Sequence, residues 1–304
     1  MSTTTTTPPE DPTGEYPAIA ERAPRVSVAF GGATHAGRVR PKNEDQFLIA
    51  KLAKSMRICA SSLNESETTR FSDEEGYLMI VADGMGGVAG GQEASAMAVR
   101  TVERFVLDVI QWFLHREGQE QEALRAELRQ ALQRADREIV ERADLEPRLN
   151  GMGTTLTLSY SVGGDLFLAH AGDSRGYLFH DGRLERVTSD HTLVQLLIDE
   201  GAISEEDARE HPRRHVITNV VGGPDEGVRV EIHRRSLRDG DVLLLCTDGL
   251  TSELTDTEIA RLISENPDPG QCAQRLIDAA LAEGARDNVT VALARYSISS
   301  NQSA

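Results

Sequence analysis

Cysteine is scarce in this chain of 304 residues: Cys59, Cys246 and Cys272 are the only three, and they lie far apart. They form no Cys-x-x-Cys pair and no even framework, so a reducing compartment is the default. No Cys-x5-Arg occurs, which excludes a phosphocysteine loop. Positive charge is also short. The 32 Lys and Arg stand against 49 Asp and Glu, leaving a formal charge of −17. Such a surface repels nucleic acid and anionic membranes. Long apolar runs are missing, and none reaches the roughly 18 residues of a membrane span. The most apolar helical stretch, 105–114, is broken by Asp108 and Gln111. The opening Ser-Thr-Thr-Thr-Thr-Thr-Pro-Pro-Glu has neither the basic nor the apolar part of a signal peptide. These absences lead to the expectation of a soluble cytoplasmic protein with no membrane span and no nucleic-acid partner.

The order of patterns gives the organisation. Residues 1–25, rich in Thr, Pro and Glu, read as a disordered tail. Residues 26–50 read as two strands around a turn, 54–60 as a further strand, and the polar stretch 61–76 as a mobile hairpin loop. The run 77–82 reads as a buried strand. Helical spacing follows at Ala96, Val99, Val102, Val106, Val109 and Phe113, and again at Leu124, Leu128, Ala131, Leu132, Ala135 and Ile139. Each stripe needs a sheet to cover it. Short strands then recur at 154–162, 165–171, 176–180 and 183–187, with hairpin turns at Val-Gly-Gly-Asp and His-Asp-Gly-Arg. Residues 192–222 read as a small helical flap, in which Ser204 to Asp207 has the form of a capping box and Pro212 stops the helix. Strands at 228–234 and 241–247, helices near 257–263 and 270–283, and a strand at 288–296 complete the domain. The expected fold is α+β, a four-layer αββα sandwich with two mainly antiparallel sheets between pairs of helices. Its domain is placed at 26–297, with a short tail over 298–304.

Five aspartates carry the chemical signal. Most of them follow or precede an apolar run at a small turn: Asp45, Asp83 after Leu-Met-Ile-Val-Ala, Asp173 after Phe-Leu-Ala-His-Ala-Gly, Asp248 after Val-Leu-Leu-Leu-Cys-Thr, and Asp287. Strand tips gathered at one sheet edge bring like charges together, which is costly unless a cation sits among them. Mg²⁺ and Mn²⁺ suit such an oxygen set. Singly the motifs are weaker. Asp83-Gly84-Met85-Gly86-Gly87 fits an ordinary turn as well as a loop that offers a carboxylate and the Gly84 carbonyl to metals. Arg40, just before Glu44 and Asp45, suits bidentate phosphate binding but also a solvated charge cluster. The run from Gly151 to Leu156 reads as structural.

Arg-x-x-Asn-Glu-Asp, Asp-Gly-Met-Gly-Gly, Gly-x-Gly-Thr-Thr, Gly-Asp-Ser-Arg, Ser-Asp-His, Thr-Asp-Gly and Arg-Asp-Asn-Val-Thr follow one another from Arg40 to Thr290. In that order the chain resembles the bacterial form of the metal-dependent serine/threonine phosphatases of protein phosphatase type 2C. The resemblance implies that Arg40 holds the substrate phosphate. Asp83 would bridge two metals, with the Gly84 carbonyl on the second. Asp248 and Asp287 would complete the first metal, and Glu44 and Asp45 would act directly or through water. Asp173 would serve a third, weaker metal shared with Asp248. It implies Mn²⁺ or Mg²⁺ as cofactor and a metal-bridged hydroxide that attacks phosphorus directly. The expected partners are phosphorylated proteins, Ser/Thr kinases and the kinases' substrates, met by a monomer. The alternatives are a phosphoprotein-binding module of the same fold and a small-phosphoester hydrolase.

One position departs from the family's eukaryotic pattern. Met85 stands where those members commonly have His, and Met cannot protonate a leaving alkoxide. His191 is expected to order the chain before the flap. His211-Pro212-Arg213-Arg214-His215 is a basic spot on an acidic protein. It reads either as an attractor of acidic or phosphorylated segments or as a solvated loop.

Overall fold

The computed structural model describes residues 25–53, 75–108, 119–223 and 227–299. Cys59, the strand expected at 54–60, nearly all of the tail and most of the 61–76 loop lie outside the described residues. One sheet runs β1 (Arg25–His35), β12 (Val289–Ser299), β11 (Val242–Cys246), β8 (Arg175–His180) and β9 (Arg183–Arg186). The other runs β10 (Glu231–Ser236), β7 (Asp165–Ala171), β6 (Leu156–Val162), β3 (Glu75–Ala82) and β2 (Gln46–Ala53). Every neighbouring pair is antiparallel. A two-residue ladder joins β4 (Gly84–Met85) to β5 (Gly153–Thr154).

Side-chain alternation builds three apolar layers from these strands. Met79 and Val81 of β3 meet Leu243 and Leu245 of β11 between the sheets. The alternate residues face outward under helices. Leu78 and Ile80 pack beneath α1 (Gly87–Asp108) and α2 (Gln119–Leu145), against Ala98, Val102, Leu128 and Leu132. Val242 and Leu244 pack beneath α6 (Asp256–Glu265) and α7 (Pro269–Glu283), against Ile259, Ile263, Leu276 and Ile277. The result is the α+β sandwich expected from the sequence. Two short helices, α3 (Leu193–Asp199) and α4 (Glu205–Glu210), occupy the segment read as a flap. The capping box at Ser204 and Asp207 is present.

Several elements differ from the sequence reading; among them, the last strand runs to Ser299, beyond the domain end expected at 297, because Ile298 and Ser299 still pair with Val26 and Arg25. The strand expected from 228 begins at Glu231, because the backbone upstream is bonded elsewhere. Val228 N–H donates to the buried Asp136 carboxylate at 3.3 Å and Arg229 N–H to Asn219 Oδ1 at 2.9 Å. A one-turn helix, α5 (Asp248–Thr251), follows β11 directly. Four residues are too few to show a helical period, so no sequence pattern announced it. Its Gly249 is fixed by packing, since a Cβ there would lie 1.9 Å from the Asn288 carbonyl oxygen.

Candidate metal centre

Register places the five aspartates at one end of the sandwich. The start of β2 pairs with the end of β3, as Gln46 with Ala82. The end of β7 pairs with the start of β6, as Ala171 with Leu156. The end of β11 meets β12 near its start, as Cys246 with Val291. Asp45, Asp83, Asp173, Asp248 and Asp287 therefore leave both sheets through the same edge.

Small polar side chains hold them there. Asp83 N–H donates to Thr155 Oγ1 at 3.0 Å, while Thr155 N–H and Thr154 Oγ1 donate back to the Asp83 carbonyl at 2.9 and 2.8 Å. Thr155 Oγ1 also meets Ser174 Oγ at 2.7 Å, which ties the Asp83 turn to the residue after Asp173. Thr247 Oγ1 donates to Asp45 Oδ2 at 2.8 Å and accepts from Thr290 N–H at 3.0 Å. The Gly84 carbonyl rests against α1. A Cβ on Gly84 would lie 2.1 Å from the Gly91 oxygen, and one on Gly91 would lie 2.7 Å from the Gly84 oxygen. Only two glycines permit that approach.

Asn288 is a residue the sequence reading passed over. Its Nδ2 donates to the carbonyls of Ala36 and Lys42 at 2.9 and 2.8 Å, and its Oδ1 accepts Glu44 N–H at 2.8 Å. It holds the loop that carries Arg40, Glu44 and Asp45. The signal was present in Arg-Asp-Asn-Val-Thr, but an Asn beside an Asp attracts no notice until its partners are known. Asn288→Ala is expected to lower stability by about 1–3 kcal/mol, the scale of buried groups left unpaired. It should also raise KM for a phosphorylated substrate. Denaturant midpoints and steady-state kinetics measure the two effects, and an unchanged midpoint contradicts the role.

The carboxylates disturb one another. Burial, with further repulsion from Asp248 and Asp287, lifts Asp45 to about 7 despite hydrogen bonds from Thr290 and Thr247. Asp83 is pushed well above the ordinary carboxylate range by burial and then by Asp45, Asp248, Asp173 and Asp287. Burial and Asp248 raise Asp173 likewise, and burial and Asp287 raise Asp248. Asp45 Oδ1, Asp173 Oδ1 and Asp248 Oδ1 are buried with no hydrogen-bond partner among the described residues. Buried polar atoms are rarely left so. Three such oxygens beside further carboxylates and a backbone carbonyl fit hard divalent cations.

Arg40 and Asp287 stand at the rim. Arg40 Nη2 donates to Asp287 Oδ2 at 2.6 Å, and Asn288 N–H donates to Asp287 Oδ1 at 2.8 Å. Both oxygens of Asp287 are thus engaged, unlike those of Asp248. The guanidinium side chain is 55% exposed, open to an incoming group. Glu44 sits beside Gly91, where a Cβ would lie 3.0 Å from its carboxyl carbon.

A tighter group of ligand-type atoms lies behind this edge. His170, His191 and Glu231 bring theirs within 4.8 Å of one another. Their hydrogen bonds identify a polar network rather than a second cation cage. His191 Nδ1 accepts from Gly172 N–H at 3.1 Å and from Asn219 Nδ2 at 2.8 Å, which leaves the proton on Nε2 facing Glu231 at 3.5 Å. A protonated Nε2 cannot ligate a metal. His170 is wholly buried between Thr157 and Ser189, and burial lowers its pKa to about 4. Asp190 pairs with Arg175 through bonds of 2.9, 3.2 and 2.7 Å. Ser189, Asp190 and His191 thus order the chain ahead of α3.

The model of the family described as protein phosphatase 2C matches residues 60–283. The chain belongs to the protein phosphatase 2C family. A relative from Mycobacterium tuberculosis, the serine/threonine protein phosphatase PstP, is 40% identical over 218 residues. That match takes in 71% of this chain but 40% of the relative, so the chain spans less than half of that protein's length. The serine/threonine phosphatase stp of Listeria monocytogenes is 36% identical over 231 residues, covering 76% of this chain and 89% of the relative. Among solved structures, the catalytic domain of PstP in complex with 2 manganese ions aligns with a TM-score of 0.69 at 32% identity. That alignment covers 90% of this chain and 100% of that one. The acidic edge of the sandwich, with Arg40 at its rim, is the candidate active centre.

Proposed function

We propose that this chain is a metal-dependent protein phosphatase that hydrolyses phosphoserine and phosphothreonine in proteins. Three buried carboxylate oxygens without a hydrogen-bond partner among the described residues, at one edge of a protein phosphatase 2C fold, carry the reading. Asp45, Asp83, Asp248 and Asp287, with Glu44 and the Gly84 carbonyl, would hold two cations, Mn²⁺ or Mg²⁺, and Asp173 with Asp248 a third. A cation pair of that kind acidifies water and neutralises charge at a phosphoryl group.

The chain's own residues supply the rest. Burial raises the pKa of Asp83, Asp173 and Asp248, and their mutual repulsion adds to it, so a cation among them would favour the charged forms. Arg40 presents the unused N–H groups of its fork to two phosphate oxygens. Its bond to Asp287 holds the guanidinium at the rim until then. Thr155 fixes the Asp83 backbone and Thr247 the Asp45 carboxylate, which limits reorganisation at reaction. Neither cysteine among the described residues suits a nucleophile: burial raises Cys246 to about 12 and Cys272 to about 11. Met85, 39% exposed, has no proton to give a leaving alkoxide. We place the enzyme in the cytoplasm as a monomer opposing Ser/Thr kinases on their substrates. Among the described residues no helix is long and apolar enough to cross a membrane, and the chain's acidity keeps nucleic acid off the partner list.

Phosphate release from a phosphothreonine peptide in Mn²⁺, in Mg²⁺ and in EDTA tests this. Turnover is expected with either cation and none in EDTA. No release by folded, Mn²⁺-loaded protein would leave a phosphoprotein-binding module. Faster release from small phosphoesters than from the peptide would favour a small-molecule hydrolase.

A further inference from the structure

We propose that the turn after α4, His211 to His215, is a docking surface for acidic residues flanking the phosphorylated residue of a substrate. This rests on the phosphatase reading and adds a substrate preference to it.

The turn is tight and exposed. Arg214 N–H donates to the His211 carbonyl at 3.1 Å and Val216 N–H to the Arg213 carbonyl at 3.2 Å. Residues 212 to 216 are all exposed. The side chains of Arg213, Arg214 and His215 make no hydrogen bond or ion pair among the described residues. Acids are close along the chain, at Glu205, Glu206, Asp207 and Glu210. None of them lies within 4.0 Å of either guanidinium, and Asp207 is committed to capping Ser204 at 2.6 Å. The cations therefore face outward uncompensated, on a chain with a formal charge of −17.

The turn is also fixed relative to the acidic edge. Leu193 N–H donates to the Val216 carbonyl at 2.8 Å, and Thr192 bridges Ile217. Thr218 N–H donates to the His191 carbonyl at 2.8 Å, and His191 N–H donates to the Gly172 carbonyl at 2.7 Å. His191 Nδ1 takes the Gly172 N–H as well. Both amide groups of the residue before Asp173 are thus bound to the root of this segment. Arg40, the cation at the rim, is already engaged by Asp287 and is aimed at the phosphate. A second negative group on the substrate needs a separate partner, and Arg213 and Arg214 are two cations without a side-chain partner among the described residues, on a segment bonded to Gly172. An acidic peptide segment is the chemistry that matches them.

The test compares two phosphothreonine peptides of equal length, one flanked by Asp and Glu and one by Gln and Ser, with an aryl phosphate as control, all in Mn²⁺. Wild type is expected to show about five- to tenfold lower KM for the acidic peptide, the scale of two exposed ion pairs. Added salt should erode that preference. Arg213→Ala with Arg214→Ala should abolish it, and Arg213→Glu with Arg214→Glu should invert it, with aryl phosphate turnover unchanged in both. Fluorescence anisotropy of the labelled peptides on Asp248→Asn protein reads the same preference as binding, whether or not phosphate is released. Loss of aryl phosphate and peptide turnover in wild type would overturn the phosphatase reading alone. Equal KM and equal binding of the two peptides, or a preference that survives the double substitutions, would overturn the docking surface.

Discussion

Asp248→Asn is expected to lower phosphate release by about a thousandfold or more, the scale seen when a preorganised charge is removed from a reacting centre. Asp248 has a buried oxygen with no hydrogen-bond partner among the described residues, and it raises the pKa of Asp45, Asp83 and Asp173. Removing its charge therefore has a second effect of opposite sign. In EDTA near pH 8 the variant should melt above wild type, by about 2–4 °C if about 1 kcal/mol of repulsion is relieved. The gain in melting temperature on adding Mn²⁺ should shrink in the same variant. Activity loss with an unchanged metal-free melting temperature would mean that the carboxylates do not repel one another as their burial implies. Retained activity would remove Asp248 from the centre altogether.

Metal-free protein should lose stability as pH rises through neutrality. Asp45 sits near 7 in the folded state against an ordinary 3.8, and Asp83, Asp173 and Asp248 are raised too, burial being the first cause in each. A raised folded pKa means that the native state binds more protons than the unfolded chain between the two values. Stability from these groups is then fully present below about 4, and Asp45 loses its share as pH climbs through about 7. Melting temperatures in EDTA should fall between pH 6 and 8.5, on the order of 5 °C or more. With Mn²⁺ the trend reverses in sign, because a cation competes with those protons and is bound more tightly as they leave. The difference between melts in Mn²⁺ and in EDTA should grow with pH. A metal-free protein whose melting temperature rises from pH 6 to 8.5 would contradict the raised values.

Fold class was legible because each layer writes its own period. Met79 and Val81 alternate with Leu78 and Ile80, and the helical stripes of α1 and α2 supply the cover that the second pair requires. What could not be read was any element defined by its partners. Val228 and Arg229 continue the alternation of the following strand, yet Asp136 and Asn219 take their N–H groups. The helix α5 exists because Thr247 ends β11 against Thr290 and Gly249 packs on Asn288. Both facts are contacts across some forty residues of chain.

By itself the sequence determined the sandwich, the set of aspartates and the need for something positive among them. Those follow from local periodicity and from the types of residue at strand ends, which are written in order along the chain. Only the tertiary structure decided which carboxylate oxygens stay unpartnered, that Asp287 is held by Arg40, and that Asn288 carries the loop of Arg40, Glu44 and Asp45. It also decided that His191 binds Gly172 and Asn219 through a nitrogen that can only accept. Each of these depends on distances between atoms far apart in the chain. Hydrogen bonding and desolvation act over a few ångströms of space, whatever the separation along the backbone.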